Sequence, residues 1–356
     1  MSIPFTARGR MGKAISSDSK TRYARLLARQ RDHYSIKVEK PIMLRRQFLF
    51  AAAAAPLARG RSSLTHKERV DRALKGADVD RPPFSFWHHF GLNTAESHAQ
   101  ATLAFHQAYR TDIVKVMSDF AYPKPTGKWY ELKVEDNPFP QQIRALELIR
   151  DGLHGDAHTV ETLFNPFNVA QKLSSKEEVL RLKSENPTAL LTALDAITQS
   201  EIAHARRAFS AGAAGVLLAV ANANAAELSP EDYRKFSQPF DRRILDALSG
   251  ARLNFLHLHV EPPYLGFFDG FPAAVFNYSL HVSGIPIADV RKRFSSVIAG
   301  GIDEVNYRKL TADELRAQWK VAAQAAGPKF ILTPGCSVPN DSSKEDLLRL
   351  PQVLGA

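Results

Sequence analysis

His257 and His259 stand two positions apart in residues 253–263, LNFLHLHVEPP, at the end of an apolar run. Side chains of an extended strand alternate faces with a period of two, so both imidazoles project the same way. The chain's one cysteine, Cys336, lies in TPGCSVP, directly after another apolar run. Two imidazoles and a thiolate can supply three of the four ligands of tetrahedral zinc, leaving one position open to substrate. A plainer reading suits the same residues. A cysteine after a strand packs well as a small apolar group, and His-x-His can simply satisfy core polar groups. Residue types alone leave both readings open.

For these side chains to meet, the chain must bring distant strand ends together. Strand-like runs occupy residues 84–88, 113–118, 159–164, 215–220, 254–259, 274–278, 296–300 and 329–333. They read as nearly continuous apolar strings, the pattern of strands buried on both faces of a parallel sheet. Amphipathic stretches at 176–184, 230–248, 287–293 and 312–326 alternate with them, and Thr311 with Glu314 has capping-box spacing. Eight strands with intervening helices predict an α/β fold, a (β/α)8 TIM barrel. No Gly-x-Gly-x-x-Gly turn follows any strand, which disfavours a doubly wound sheet. The long connection at 119–156 is expected to carry an insertion over the barrel mouth. Chemistry in such a barrel sits at the C-terminal strand ends. Those positions hold His88, His89, Asp119, Asn165, Asn222, His257, His259, Asn277, Asp303 and Cys336.

Charge separates the chain into two parts. Residues 1–62 hold 14 of the 47 Lys and Arg but 3 of the 37 Asp and Glu, leaving the remainder nearly neutral at 33 against 34. Nucleic acid is therefore not an expected partner of the folded body. Within the basic part, residues 43–60, MLRRQFLFAAAAAPLARG, join paired arginines to a short apolar run and small residues, as secretory signals do. The Arg-Arg-x-Phe-Leu form resembles a twin-arginine signal, implying export to the periplasm or beyond; without a working signal the chain is expected in the cytoplasm. The run is too short for a stable membrane span. The expected organisation is a disordered or non-native extension at 1–42, the signal-like segment at 43–62 and a barrel domain at 63–356. With one cysteine, no intramolecular disulfide can form.

Five stretches carry a resemblance to a family: THKERVDRALKGADVDRPP (65–83), VKVMSDF (114–120), LSPEDYRKFSQPFDRRILDAL (228–248), IAGGIDE (298–304) and FILTPGCSVP (330–339). In order and spacing the chain resembles the uroporphyrinogen decarboxylase superfamily from residue 63 to its end. The resemblance implies a (β/α)8 barrel and one of two chemistries. Decarboxylases of the family hold substrate carboxylates with arginines after Arg-Pro-Pro, engage pyrrole N–H groups with an aspartate, and carry a histidine after the last strand. Here His88 and Leu92 fall at the arginine positions, Cys336 at the histidine, and Asp119 retains the aspartate. Histidine and leucine cannot give the bidentate, permanently charged grip of arginine. The methyl-transferring relatives bind zinc through His-x-Cys and a Pro-Gly-Cys cysteine. His257 and Cys336 match these positions, with His259 in place of the first cysteine. That exchange makes the site one charge more positive and a bound thiolate less nucleophilic.

Three readings follow from this comparison. The leading one is zinc-dependent methyl transfer or demethylation of a small-molecule substrate, with a corrinoid as candidate partner. His257, His259 and Cys336 would be ligands and Glu261 a candidate fourth. Asp119 and His88 are the candidate catalytic residues; His89, Asn222 and Asn277 are candidate substrate contacts. The second is tetrapyrrole decarboxylation centred on Asp119. The third is an exported barrel that binds a ligand without turnover. A homodimer is compatible with all three. Metal ligation requires the three ligand atoms to converge to about 3–4 Å.

Overall fold

The computed structural model describes residues 63–259 and 262–354. The extension, the signal-like segment and Glu261 lie outside the described residues. Seven strands form one sheet in sequential order: β1 (Ile113–Val116), β2 (His158–Phe164), β3 (Gly215–Val220), β4 (Phe255–Leu258), β5 (Val275–Tyr278), β6 (Val297–Ile302) and β7 (Phe330–Pro334). Every neighbouring pair is parallel.

The two faces explain why the strands read as unbroken apolar strings. Val216, Leu218, Leu256, Leu258, Phe276 and Ile298 pack in the large cluster shared with the surrounding helices. Ile113, Val160, Leu217, Phe255, Val275, Val297 and Ile331 pack against one another on the opposite, concave side. Val70 joins this inner cluster, so the helix His66–Lys75 closes the N-terminal end of the strands.

The expected strand at 84–88 is corrected to a single bridge, Phe84 to Leu332 of β7. Ser85 N donates to Leu332 O at 3.0 Å and Leu332 N to Pro83 O at 2.8 Å. On the other flank Asp112 N donates to Phe84 O at 2.6 Å, and Ser85 Oγ to Ile113 O at 2.8 Å. The segment thus touches both edges of the sheet without becoming a strand. Pro82 and Pro83 have no N–H, and the Phe84 N–H donates to the Asp112 carboxylate at 2.8 Å. Too few donors remain for a ladder.

Among the helices, Lys176–Glu185, Ile287–Arg293 and Ala312–Ala326 form where expected, the last with its Thr311–Glu314 capping box in place. The run at 230–248 is corrected to two helices, Pro230–Phe236 and Gln238–Ala247. Pro239 explains the break, because its ring lacks an N–H and clashes with the carbonyl four residues earlier. The connection after β1 runs through residues 121–139 without helix or strand and ends in the helix Pro140–Leu153. Among the described residues, no helix is long and apolar enough to cross a membrane.

Candidate metal centre

Strand register sets the site. Ala219, His257, Asn277 and Ala299 are successive partners across β3 to β6. This layer lies one step above the apolar row Leu217, Phe255, Val275 and Val297. A polar layer therefore rests on an apolar floor, at the C-terminal end of the strands. His259 follows β4 by one residue and faces the same way as His257, while Cys336 follows β7 by two.

The ligand atoms of His257, His259 and Cys336 all lie within 4.8 Å of one another. Cys336 Sγ is 2.8 Å from His259 Nδ1, and the two imidazole centroids are 5.5 Å apart. The Sγ–Nδ1 contact is shorter than the roughly 3–4 Å expected of ligand atoms around a metal. Burial acts to raise the Cys336 thiol, but the charge of His259 and the hydrogen bond from it outweigh that effect, leaving the thiol well below its ordinary range. The thiolate charge in turn raises His259 against burial. Burial lowers His257, disfavouring its charged form.

Asn277 fixes how His257 presents itself. Its Nδ2 faces three acceptors: Ala299 O at 3.0 Å, Pro334 O at 3.1 Å and Thr333 Oγ1 at 3.2 Å. The amide oxygen therefore points at His257 Nδ1, 2.5 Å away, and accepts its proton. Nε2 is left with its lone pair. This is the arrangement in which a second ring nitrogen, held by a neighbour, aims the first at a metal.

The turn carrying Cys336 is held just as closely. A Cβ on Gly335 would stand 2.2 Å from Ser279 Cα, so only glycine permits the approach. Gly335 N donates to Glu304 Oε2 at 3.1 Å, and Glu304 Oε1 accepts from Ser279 Oγ. Burial pushes the Glu304 carboxyl up to about 7.

The other candidates fall into separate groups. Asp119 Oδ1 is 2.9 Å from His89 Nδ1, and its Oδ2 is 3.8 Å from buried His98. That oxygen and both His98 nitrogens lack hydrogen-bond partners among the described residues. Burial acts to raise Asp119, and the bond from His89 brings it below the usual range. His88 Nε2 lies 3.1 Å from the Asn340 carbonyl, and burial lowers its pKa. Asn222 is drawn elsewhere. Its oxygen accepts from Asn165 Nδ2 at 2.7 Å, and Asn165 also contacts Ser237 and Asp241 in a buried network.

Sequence reading missed Lys115. It lies on β1 beside Trp87, 5.4 Å from the ring centroid, and shares a small hollow with Ser85, Val160, Leu217 and Phe255. Burial pulls it down to about 8, against the charges of Cys336, Asp119 and Glu161. A lysine inside the run IVKV was the available signal.

Comparison with known proteins bears on this arrangement. Residues 122–354, well over half the chain, match the uroporphyrinogen decarboxylase (URO-D) family. A methylated-thiol–coenzyme M methyltransferase from Methanosarcina mazei is 27% identical over 139 residues, 39% of this chain. That match spans 37% of the relative's own length. Among solved structures, a methyltransferase from Methanosarcina mazei superposes with a TM-score of 0.68 at 18% identity, covering 82% of this chain and 99% of that one. A B12-independent methionine synthase from Shewanella sp. W3-18-1 gives 0.54 at 12% identity, covering 77% and 92%. At these identities the two structures establish a shared fold alone.

Proposed function

Because the chain belongs to the uroporphyrinogen decarboxylase family, we propose that it is a zinc-dependent enzyme transferring methyl groups to or from a small thiol. The carrying observation is the Asn277 lock on His257, which leaves Nε2 unprotonated beside His259 and Cys336. Similarity to a methylated-thiol methyltransferase supports the direction. A bound zinc would lower the pKa of a coordinated thiol and so supply a nucleophile at neutral pH. On this reading, His257 Nε2, His259 Nδ1 and Cys336 Sγ would hold the ion. Cys336 and His259 must part from 2.8 Å to about 3.5 Å, as zinc–sulfur and zinc–nitrogen bond lengths require.

The chain's own groups do the rest. Asp119, oriented by His89, offers Oδ2 to take the proton of an entering thiol. Lys115 presents positive charge toward the same interior and suits a substrate bearing an anionic group. A methylated corrinoid is the natural donor to try. Phe84 then serves as the reduced first stave of an eight-stave barrel.

Retention of Asp119 favours one other reading, tetrapyrrole decarboxylation. Against it, His88 and Leu92 occupy the positions where decarboxylases use arginine, and His88 is bonded to the Asn340 carbonyl. Export of the folded enzyme by residues 43–60 is part of the proposal, tested by fractionating cells that express the chain with Arg45→Lys and Arg46→Lys.

The central experiment is elemental analysis of wild type, His259→Ala and Cys336→Ala, beside demethylation of a methylated corrinoid by thiol. Zinc at one equivalent or more, with one equivalent and the activity lost in each variant, is expected. Wild type that takes up no zinc on reconstitution refutes the proposal. Decarboxylation of a porphyrinogen without metal would favour the second reading.

A further inference from the structure

The N-terminal end of the strands holds another convergence of ligand-type groups. His66 opens the helix His66–Lys75, His106 lies in the last turn of the helix Ala95–Tyr109, and Asp156 stands in the loop before β2. One ligand atom from each lies within 4.8 Å of the others. His106 Nε2 is 3.1 Å from Asp156 Oδ2, and His66 Nε2 is 3.9 Å from the same oxygen. Tetrahedral zinc with nitrogen and oxygen ligands needs contacts of about 3.3 Å. Asp156, more than half exposed, can supply the adjustment by turning its side chain.

A neighbouring carboxylate orients His66. Asp112 Oδ1 lies 2.7 Å from His66 Nδ1 and 2.6 Å from Arg69 Nη1. Its Oδ2 accepts from Arg81 Nη1 at 2.5 Å and from Phe84 N at 2.8 Å. Surrounded by donors, Asp112 acts as an acceptor, so the tautomer it selects has the His66 proton on Nδ1 and leaves Nε2 free for a metal. That nitrogen has no hydrogen-bond partner among the described residues, although the ring is largely buried. His106 is steadied by Thr111 Oγ1, 3.1 Å from Nδ1. Each ring thus has its Nδ1 held by the fold and its Nε2 turned toward one exposed carboxylate, the second-sphere pattern of a metal ligand.

We propose that His66, His106 and Asp156 form a second divalent-metal site, of zinc or cobalt type, with its open position toward solvent. Parallel strands put it at the opposite end of the sheet from Cys336. The ion would join the helix that closes the sheet's N-terminal end to the helix Ala95–Tyr109 and the loop entering β2. Its effect would be on cohesion, not turnover. The site uses no residue of the Cys336 centre.

The test is titration of metal-depleted full-length protein with Co2+, read optically, and with Zn2+, read by elemental analysis. In His259→Ala/Cys336→Ala, one equivalent should remain, and its cobalt spectrum should lack thiolate charge-transfer bands. Adding Asp156→Asn should weaken that equivalent at least about tenfold and abolish the metal-induced rise in Tm. Asp156→Asn alone, at an exposed position, keeps the test valid if the double variant does not fold. It should lose the thiolate-free cobalt component and leave any thiolate bands unchanged. No thiolate-free component in wild type, or one unaffected by Asp156→Asn, overturns the proposal. A wild type that shows only the thiolate-free component fails the Cys336 centre and leaves this one standing.

Discussion

Replacing Asn277 with alanine tests the zinc reading at its most specific point. Truncation removes the acceptor of the His257 Nδ1 proton, on a residue only 4% exposed. An unpaired buried donor costs about 1–3 kcal/mol. Loss of a group that orients a metal ligand costs about 10–100-fold in affinity, or about 1.4–2.8 kcal/mol. The first cost falls on folding and the second on binding, so zinc affinity should fall by one to two decades. The assay is competition against a chromophoric chelator at fixed pH, with Tm measured in parallel. Folding itself will weaken, because the Ala299 and Pro334 carbonyls lose their shared donor. Asn222→Ala controls for that, as Asn222 is equally buried but bonded within the Asn165 network. Zinc affinity within twofold of wild type in Asn277→Ala, or an equal loss in Asn222→Ala, would refute the reasoning.

Gly335→Ala should lower both Tm and zinc affinity, because the new Cβ meets the Ser279 backbone at 2.2 Å and the turn bearing Cys336 must move; unchanged values would show that the turn is slack. Bound zinc should protect Cys336 from iodoacetamide, with protection lost in His257→Ala, as mass spectrometry of the alkylated chain would record. Glu201 supplies a pH dependence. Burial and the charge of Glu161 push its carboxyl up to about 8, against 4.5 for an ordinary glutamate. The folded state therefore keeps a proton that the unfolded state releases, and this contribution is full below pH 4.5 and is lost as pH rises toward 8. Glu201→Gln should raise Tm at pH 8 much more than at pH 5, checked by thermal melts across that range.

Most of the frame was legible because it is written in local pattern. Unbroken apolar runs located seven strands within one or two residues, and Thr311 with Glu314 marked a helix start correctly. The failures have local causes too. Pro239 was sufficient to split the helix at 230–248, and Pro82-Pro83 to deny Phe84 a ladder. The convergence of His257 and Cys336 follows from the curled parallel sheet, whose strand ends approach one another however far apart they lie in sequence. What holds those groups was less legible. Glu304 and Ser279 brace Gly335 across three separate segments, and Asn277 acts through acceptors on two other strands. Such pairings depend on register, which sequence alone does not number. Lys115 was the avoidable omission, a charge set within a strand already read as buried.

The single bridge at Phe84 is a zip with one tooth between the two edges of the curled sheet. Elsewhere, neighbouring strands are fastened along a ladder; here a bridge, a few flanking bonds and the side chain of Asp112 join β7 to β1. Strain from a bulky ligand at the mouth will therefore be relieved along this line first, letting the Cys336 turn swing away from Asp119 while the other six pairings stay shut. Hydrogen exchange should record this as earlier release of the Ser85 and Leu332 amides than of those within β3 and β4.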